Sequence, residues 1–158
     1  MNNQLRKASI DRYSRQIVLK DIGTVGQKKI ISAKVLIVGM GGSGVAGDVL
    51  KLILNETSHI NVEVRKAYGI PEVVADRRPK CLFISYSGNT EETISALKEC
   101  QKKGAEICII TSGGNLKSLA ETNNYNAILI PPGNPPRAMF GYSFTQLFYM
   151  LHHYKIIN

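Results

Sequence analysis

Residues 81–92 read Cys81-Leu82-Phe83-Ile84-Ser85-Tyr86-Ser87-Gly88-Asn89-Thr90-Glu91-Glu92. Cys81 to Ile84 is a short apolar run of strand type. From Glu91 onward the apolar positions fall at Ile94 and Leu97, a helical spacing that stops at Gly104. Three hydroxyls and a glycine therefore stand where a strand hands over to a helix. Such a turn offers backbone N–H groups and the positive end of a helix dipole, which suits a phosphate. Ser85, Ser87 and Thr90 can each donate a further hydrogen bond to phosphate oxygens, and Asn89 is placed to cap the helix. An ordinary cap with incidental serines is the alternative. Glu91 and Glu92 fall in the first helical turn, where the dipole favours carboxylates, so a structural role outweighs a catalytic one.

The same alternation extends on both sides. Val35–Val38, Ile60–Val64, residues 81–85, Glu106–Ile110 and Ala127–Ile130 read as strands. Val45–Leu54, about 90–103, about 115–122 and about 138–153 read as helices. Short apolar runs separated by helices predict parallel strands buried on both faces. The expected fold is α/β, a three-layer sandwich around a five-stranded parallel sheet. Its expected strand order is 2-1-3-4-5, with the topological switch point between strands one and three. That order brings the turn at 85–90 beside the turn after strand one.

The turn after strand one is Gly39-Met40-Gly41-Gly42-Ser43-Gly44, which satisfies Gly-x-Gly-x-x-Gly with Glu63 about 20 residues further on. It suits a dinucleotide cofactor, a substrate's sugar ring or phosphate, or no ligand at all. The second turn favours a compact phosphate site for a phosphorylated small molecule, because a dinucleotide site needs no hydroxyl-rich turn on strand three. Arg137 follows a proline loop, Pro131–Pro136, after strand five. A guanidinium held there suits an oxyanion, and an ordinary surface arginine is the alternative.

The chain has 158 residues, 44% of them hydrophobic and 20% charged, enough for one domain with a real core. No apolar run approaches the roughly 20 residues that span a bilayer, and Met1–Lys7 lacks a signal-peptide core. The cytoplasm is the expected compartment, with no membrane association. Cys81, Cys100 and Cys108 match no zinc or redox spacing and are expected as buried thiols; no metal or cofactor is expected. The net charge of +8 is concentrated in residues 1–34, which hold eight Lys/Arg against Asp11 and Asp21. Aromatics are not interleaved with these basic residues, so nucleic-acid binding is not expected. Two segments follow: a basic arm at 1–34 and the α/β domain at 35–158.

Gly39–Asp48, Ile84–Thr93, Thr111-Ser112-Gly113-Gly114, Pro135-Pro136-Arg137-Ala138 and Gly141-Tyr142 together resemble the first sugar isomerase (SIS) domain of bifunctional phosphoglucose/phosphomannose isomerases. The likeness runs over about residues 37–150, in motif order and spacing. It implies aldose–ketose isomerisation of hexose 6-phosphates. Ser85, Ser87 and Thr90 would hold the phosphate, Gly42 and Ser43 would lie against the sugar, and Arg137 would stabilise an enediolate. In that family the proton-moving glutamate and the ring-opening histidine lie after this domain, and the site is completed by a second domain and across a dimer. The resemblance thus implies a homodimer, and a lone domain that binds substrate but is weak or inactive as an enzyme. A non-catalytic sugar-phosphate-sensing module is an alternative. His152 and His153 are expected to pack or face solvent, and His59 to lie in a loop.

Residues 12–42 carry a second resemblance. Arg12-Tyr13-Ser14-Arg15-Gln16-Ile17, Gly26-Gln27 and Ala33–Gly39 are similar to the start of the ATP-dependent adenylyltransferases that activate ubiquitin-like and sulfur-carrier proteins. That likeness implies that Arg15 reaches ATP phosphates of a partner subunit. It stops near Gly42, and the acidic nucleotide-binding motif expected after strand two is replaced by Glu63-Val64-Arg65.

Overall fold

Alternating side chains on a strand point to opposite faces, so a strand that is apolar at every position needs cover on both sides. The chain meets that need with three layers. The computed structural model describes residues 35–57, 60, 62–70 and 79–157. The arm at 1–34, with Arg12 and Arg15, lies outside the described residues, as does His59. In chain order the elements are β1 (Val35–Gly39), α1 (Gly41–Thr57), β2 (Val62–Arg65), β3 (Lys80–Ser85), α2 (Glu91–Lys102) and β4 (Glu106–Thr111). They continue with α3 (Gly114–Asn123), β5 (Asn126–Leu129), a 3-10 turn (Pro136–Met139) and α4 (Phe140–His153).

The sheet is all parallel with the order β2-β1-β3-β4-β5, as the sequence pattern predicts. On one face Val35, Ile37, Leu82, Ile84, Cys108 and Ile110 pack against Leu50 and Leu54 of α1 and Leu147 and Leu151 of α4. On the other, Leu36, Val38, Cys81, Phe83, Ile107 and Ile109 meet Ala96 and Leu97 of α2 and Leu116 and Ala120 of α3. Burying each such aliphatic side chain contributes about 1.5–3 kcal/mol. The register sets Gly39 opposite Ile84 and Ser85 opposite Thr111, so the carboxyl ends of β1, β3 and β4 are nearly level.

Several boundaries differ from the sequence expectation; β2, for one, runs Val62–Arg65 rather than Ile60–Val64. Helix α1 begins at Gly41 rather than Val45, so Gly41, Gly42 and Gly44 form its first turn instead of a loop. Glycine is a poor helix former, but here it is required: a Cβ on Gly44 would lie 2.5 Å from the carbonyl oxygen of Gly39. Strand β5 covers 126–129 rather than 127–130, and Asn126, Ala127 and Leu129 are exposed because β5 is an edge strand. The last helical stretch opens as a 3-10 turn before α4.

Cys81, Cys100 and Cys108 are buried and free, as expected. The Cys100 thiol donates to the Cys81 sulfur at 3.6 Å. That hydrogen bond, then burial, holds the Cys81 thiol above its ordinary range, and burial pushes Cys108 up to about 11. The thiolate is the reactive form, so the Cys81 and Cys108 sulfurs are inert packing groups.

Thr93, in the first turn of α2, is fully buried and its hydroxyl has no hydrogen-bond partner among the described residues. An unsatisfied buried hydroxyl costs about 1–3 kcal/mol, and valine has the same shape with a similar helix propensity. Thr93→Val is therefore expected to stabilise the protein by about 1 kcal/mol, read as a higher urea midpoint at unchanged slope. A lower midpoint would show that the hydroxyl is satisfied.

Candidate functional site

The carboxyl ends of β1, β3 and β4 each deliver a turn to the same end of the sheet. Ser85 is the last residue of β3 and only 2% exposed. Its hydroxyl accepts the Gly88 N–H at 3.2 Å and shares a hydrogen bond with the Thr90 hydroxyl at 2.8 Å. Thr90 occupies the cap position of α2, yet its side chain makes no capping hydrogen bond. Its backbone carbonyl accepts the Ile94 N–H, the first bond of the helix. Ser87 is exposed at the tip of the turn, where its hydroxyl accepts the Asn89 N–H at 3.2 Å.

Asn89 departs from its expected role. Its side-chain carbonyl accepts the Asn115 N–H at 2.9 Å, so it serves the start of α3 and leaves α2 without a side-chain cap. The physical reason is the tight seating of the two turns. Leu116 donates its N–H to the Gly88 carbonyl, and the β4–α3 turn fills the space behind the hydroxyl turn. Thr111 braces that second turn, donating to the Gly113 carbonyl and accepting its N–H.

The glycine turn lies on the other side. Ser43 is 8% exposed, and its hydroxyl accepts the Tyr86 N–H at 3.4 Å. Gly42 faces the 3-10 turn: a Cβ there would sit 3.9 Å from the Arg137 Cα and 3.8 Å from the Pro136 carbonyl oxygen. Arg137 is exposed and, among the described residues, forms no ion pair. The structure thus brings Gly42, Ser43, Ser85, Ser87, Thr90 and the Arg137 backbone to one end of the sheet. Sequence reasoning missed Tyr86, Thr111 and Ser112 as the groups that hold these turns together.

Two other candidates are not at this end. Glu63, the acid a dinucleotide site would use, sits within β2 opposite Leu36 and pairs with Lys51 at 3.2 Å. The end of β2 carries Arg65 and Lys66, the latter paired with Asp48. The ribose-binding carboxylate of the dinucleotide reading is therefore already occupied. His152 and His153 are exposed in the last turn of α4, about 20 Å along that helix from its start at Phe140 at 1.5 Å per residue, while Arg137 lies in the 3-10 turn before that start. Among the described residues no helix is long and apolar enough to cross a membrane.

A protein-family model described as the SIS domain matches residues 30–153. The chain belongs to the SIS domain family. This SIS domain is 45% identical over 114 residues to a bifunctional phosphoglucose/phosphomannose isomerase of Caldicellulosiruptor bescii, covering 72% of the chain and 33% of the relative. It is 41% identical over 115 residues to a D-glucosamine-6-phosphate 4-epimerase of Sulfolobus acidocaldarius, covering 72% and 36%. It thus spans about a third of the length of these curated relatives. Among solved structures, a protein of Escherichia coli CFT073 superposes with a TM-score of 0.56 at 15% identity, covering 96% of this chain and 82% of that one. The Escherichia coli tagatose-6-phosphate ketose/aldose isomerase gives 0.55 at 16%, covering 89% and 42%. Both likenesses are of fold. The sequence resemblance to the SIS family, stated on motifs alone, holds.

Proposed function

We propose that this SIS domain binds a hexose 6-phosphate, as the substrate-binding part of a protein of the phosphoglucose/phosphomannose isomerase type. The observation that carries this reading is the uncapped start of α2. The Thr90 hydroxyl is turned to Ser85, Asn89 serves α3, and the first N–H groups of α2 are left for an anion. Ser85, Ser87 and Thr90 surround that point and donate to phosphate oxygens. Gly42 and Ser43 form the wall against the sugar. Arg137 faces the negative charge that develops on the substrate carbonyl oxygens.

The relatives' names support the phosphate more broadly than the reaction. An isomerase, a 4-epimerase and a glutamine–fructose-6-phosphate aminotransferase share sequence with this chain, and the names of the last two specify a 6-phosphate. Aldose–ketose isomerisation moves a proton between adjacent carbons and needs a base within hydrogen-bond reach of it. Among the described residues, Asp48 and Glu63 are paired with lysines, and His152 and His153 are remote. We therefore read the domain as binding substrate while being weak or inactive alone, and as acting within a homodimer.

A thermal-shift comparison tests the reading. Glucose 6-phosphate, mannose 6-phosphate and fructose 6-phosphate are expected to stabilise the protein, by about 2.7 kcal/mol at a hundredfold excess over Kd. Stabilisation by ATP–Mg or NAD with none from the sugar phosphates would overturn it. Ser87→Ala is expected to weaken sugar-phosphate binding about tenfold, a hydrogen bond to a charged group contributing about 1.5–3 kcal/mol. Unchanged affinity would remove the phosphate from this turn.

A further inference from the structure

Tyr86 sits between two proposed phosphate ligands, yet its own polar groups point elsewhere. Its N–H donates to Ser43, and its carbonyl accepts both the Ser112 N–H at 3.0 Å and the Ser112 hydroxyl at 2.5 Å. Its side chain crosses to the proline loop. The hydroxyl donates to the Pro131 carbonyl at 3.2 Å and accepts the Asn134 N–H at 2.8 Å, so one oxygen closes both ends of the Pro131–Asn134 bend. The ring packs against the core on the α1 and α4 side.

The loop needs such a tie. Residues 131–138 are all exposed, and Ile130 and Met139, at either end, are buried anchors. Among the described residues, the Tyr86 hydroxyl supplies the hydrogen bonds that fasten the stretch between those anchors to another part of the chain. Four prolines, Pro131, Pro132, Pro135 and Pro136, stiffen the segment, so what fixes its middle also fixes the direction in which Arg137 leaves it. Since the Tyr86 backbone belongs to the hydroxyl turn, its side chain sets the span from that turn to Arg137.

We propose that the Tyr86 hydroxyl is a positioning group that holds Arg137 at a fixed place relative to the phosphate turn. The proposal rests on the sugar-phosphate reading for its consequence, and on the loop geometry for its mechanism. The polar groups of Tyr86 are all committed to Ser43, Ser112, Pro131 and Asn134. Tyr86 acts through Arg137, and a reacting group displaced by about 1 Å can lose on the order of 10²-fold in rate.

The test is Tyr86→Phe in the full chain. Phenylalanine keeps the packed ring, and the freed Pro131 carbonyl and Asn134 N–H are at the surface and pass to water. Amide exchange over residues 131–138 is expected to speed up about tenfold, with β1, β3 and β4 unchanged. Tryptic cleavage between Arg137 and Ala138 is expected to rise by a similar factor. Binding of inorganic phosphate is expected to stay within about twofold, while a sugar-phosphate hydroxamate that mimics the enediolate binds about tenfold more weakly. Unchanged exchange and cleavage would overturn the tie. Equal loss for phosphate and hydroxamate would overturn the positioning role, making Tyr86 part of the phosphate turn itself. A wild-type protein that protects 131–138 but binds neither sugar phosphate nor hydroxamate sinks the function above while leaving the tie standing.

Discussion

Replacing Gly88 by alanine is expected to destabilise the protein by about 3 kcal/mol and lower its melting temperature by roughly 6–12 °C. Two costs combine. Gly88 has φ +69°, a left-handed conformation that costs a residue with a Cβ about 1–2 kcal/mol. The added methyl would also fall on the Gly113 carbonyl and lie 2.8 Å from the Thr111 hydroxyl oxygen. Neither neighbour can give way freely. Thr111 is fully buried, and its hydroxyl holds Gly113 by donating to the Gly113 carbonyl and accepting the Gly113 N–H. Moving Gly88 instead would break its N–H bond to Ser85 and the bond its carbonyl receives from Leu116. Overpacking of this kind costs about 1–3 kcal/mol. Gly141→Ala is the control: that position is helical, with open space around its Cβ, and alanine is expected to gain about 0.5–1 kcal/mol there. Thermal unfolding followed by circular dichroism reads both. A Gly88→Ala protein melting within about 2 °C of wild type would mean that the two turns are not interlocked.

Gly88 also shows where sequence reading reaches its limit. Its place in Ser-Gly-Asn-Thr marks a turn between a strand and a helix, because the local pattern carries that information. What fills the space behind it, Gly113 and Thr111, is more than twenty residues away, and no periodicity encodes such a partner. The sheet order was legible for the opposite reason. Five short apolar runs with helical crossovers leave few arrangements, and burial on both faces is written at nearly every position of β1, β3 and β4. At β5 the pattern misled, since Ala127 and Leu129 are apolar but stand on an exposed edge. Asn89 misled in the same way as Gly88: a residue of capping type beside a helix start reads as a cap for that helix, whereas its carbonyl reaches α3.

The site was legible as a set of residue types and not as a set of roles. Ser85 and Thr90 read as two independent phosphate donors, but their hydroxyls share one hydrogen bond, so the proton each offers depends on the other. Ser87 is the exposed hydroxyl of the three, hence the choice of that position to test the phosphate. Tyr86 passed as a spacer, since a hydrogen bond to Asn134 across 48 residues leaves no local trace.

Arg137→Ala is expected to cost about 10²-fold or more in affinity for a sugar-phosphate hydroxamate, the range measured when one donor to a developing oxyanion is removed. Inorganic phosphate, which we propose binds at the α2 turn, is expected to shift by less than about threefold. Such a split would separate charge stabilisation at the sugar end from phosphate binding. Stability is expected to change little, because Arg137 is exposed and has no ion-pair partner among the described residues. Arg137→Lys is the sharper variant. An ammonium keeps the charge but is a compact, strongly hydrated point on a flexible stem, without the planar fork that engages two oxygens at once. It is expected to recover only a minor part of the loss. Full recovery by lysine would reduce Arg137 to a source of positive potential. Equal losses for phosphate and hydroxamate would place Arg137 on the phosphate instead.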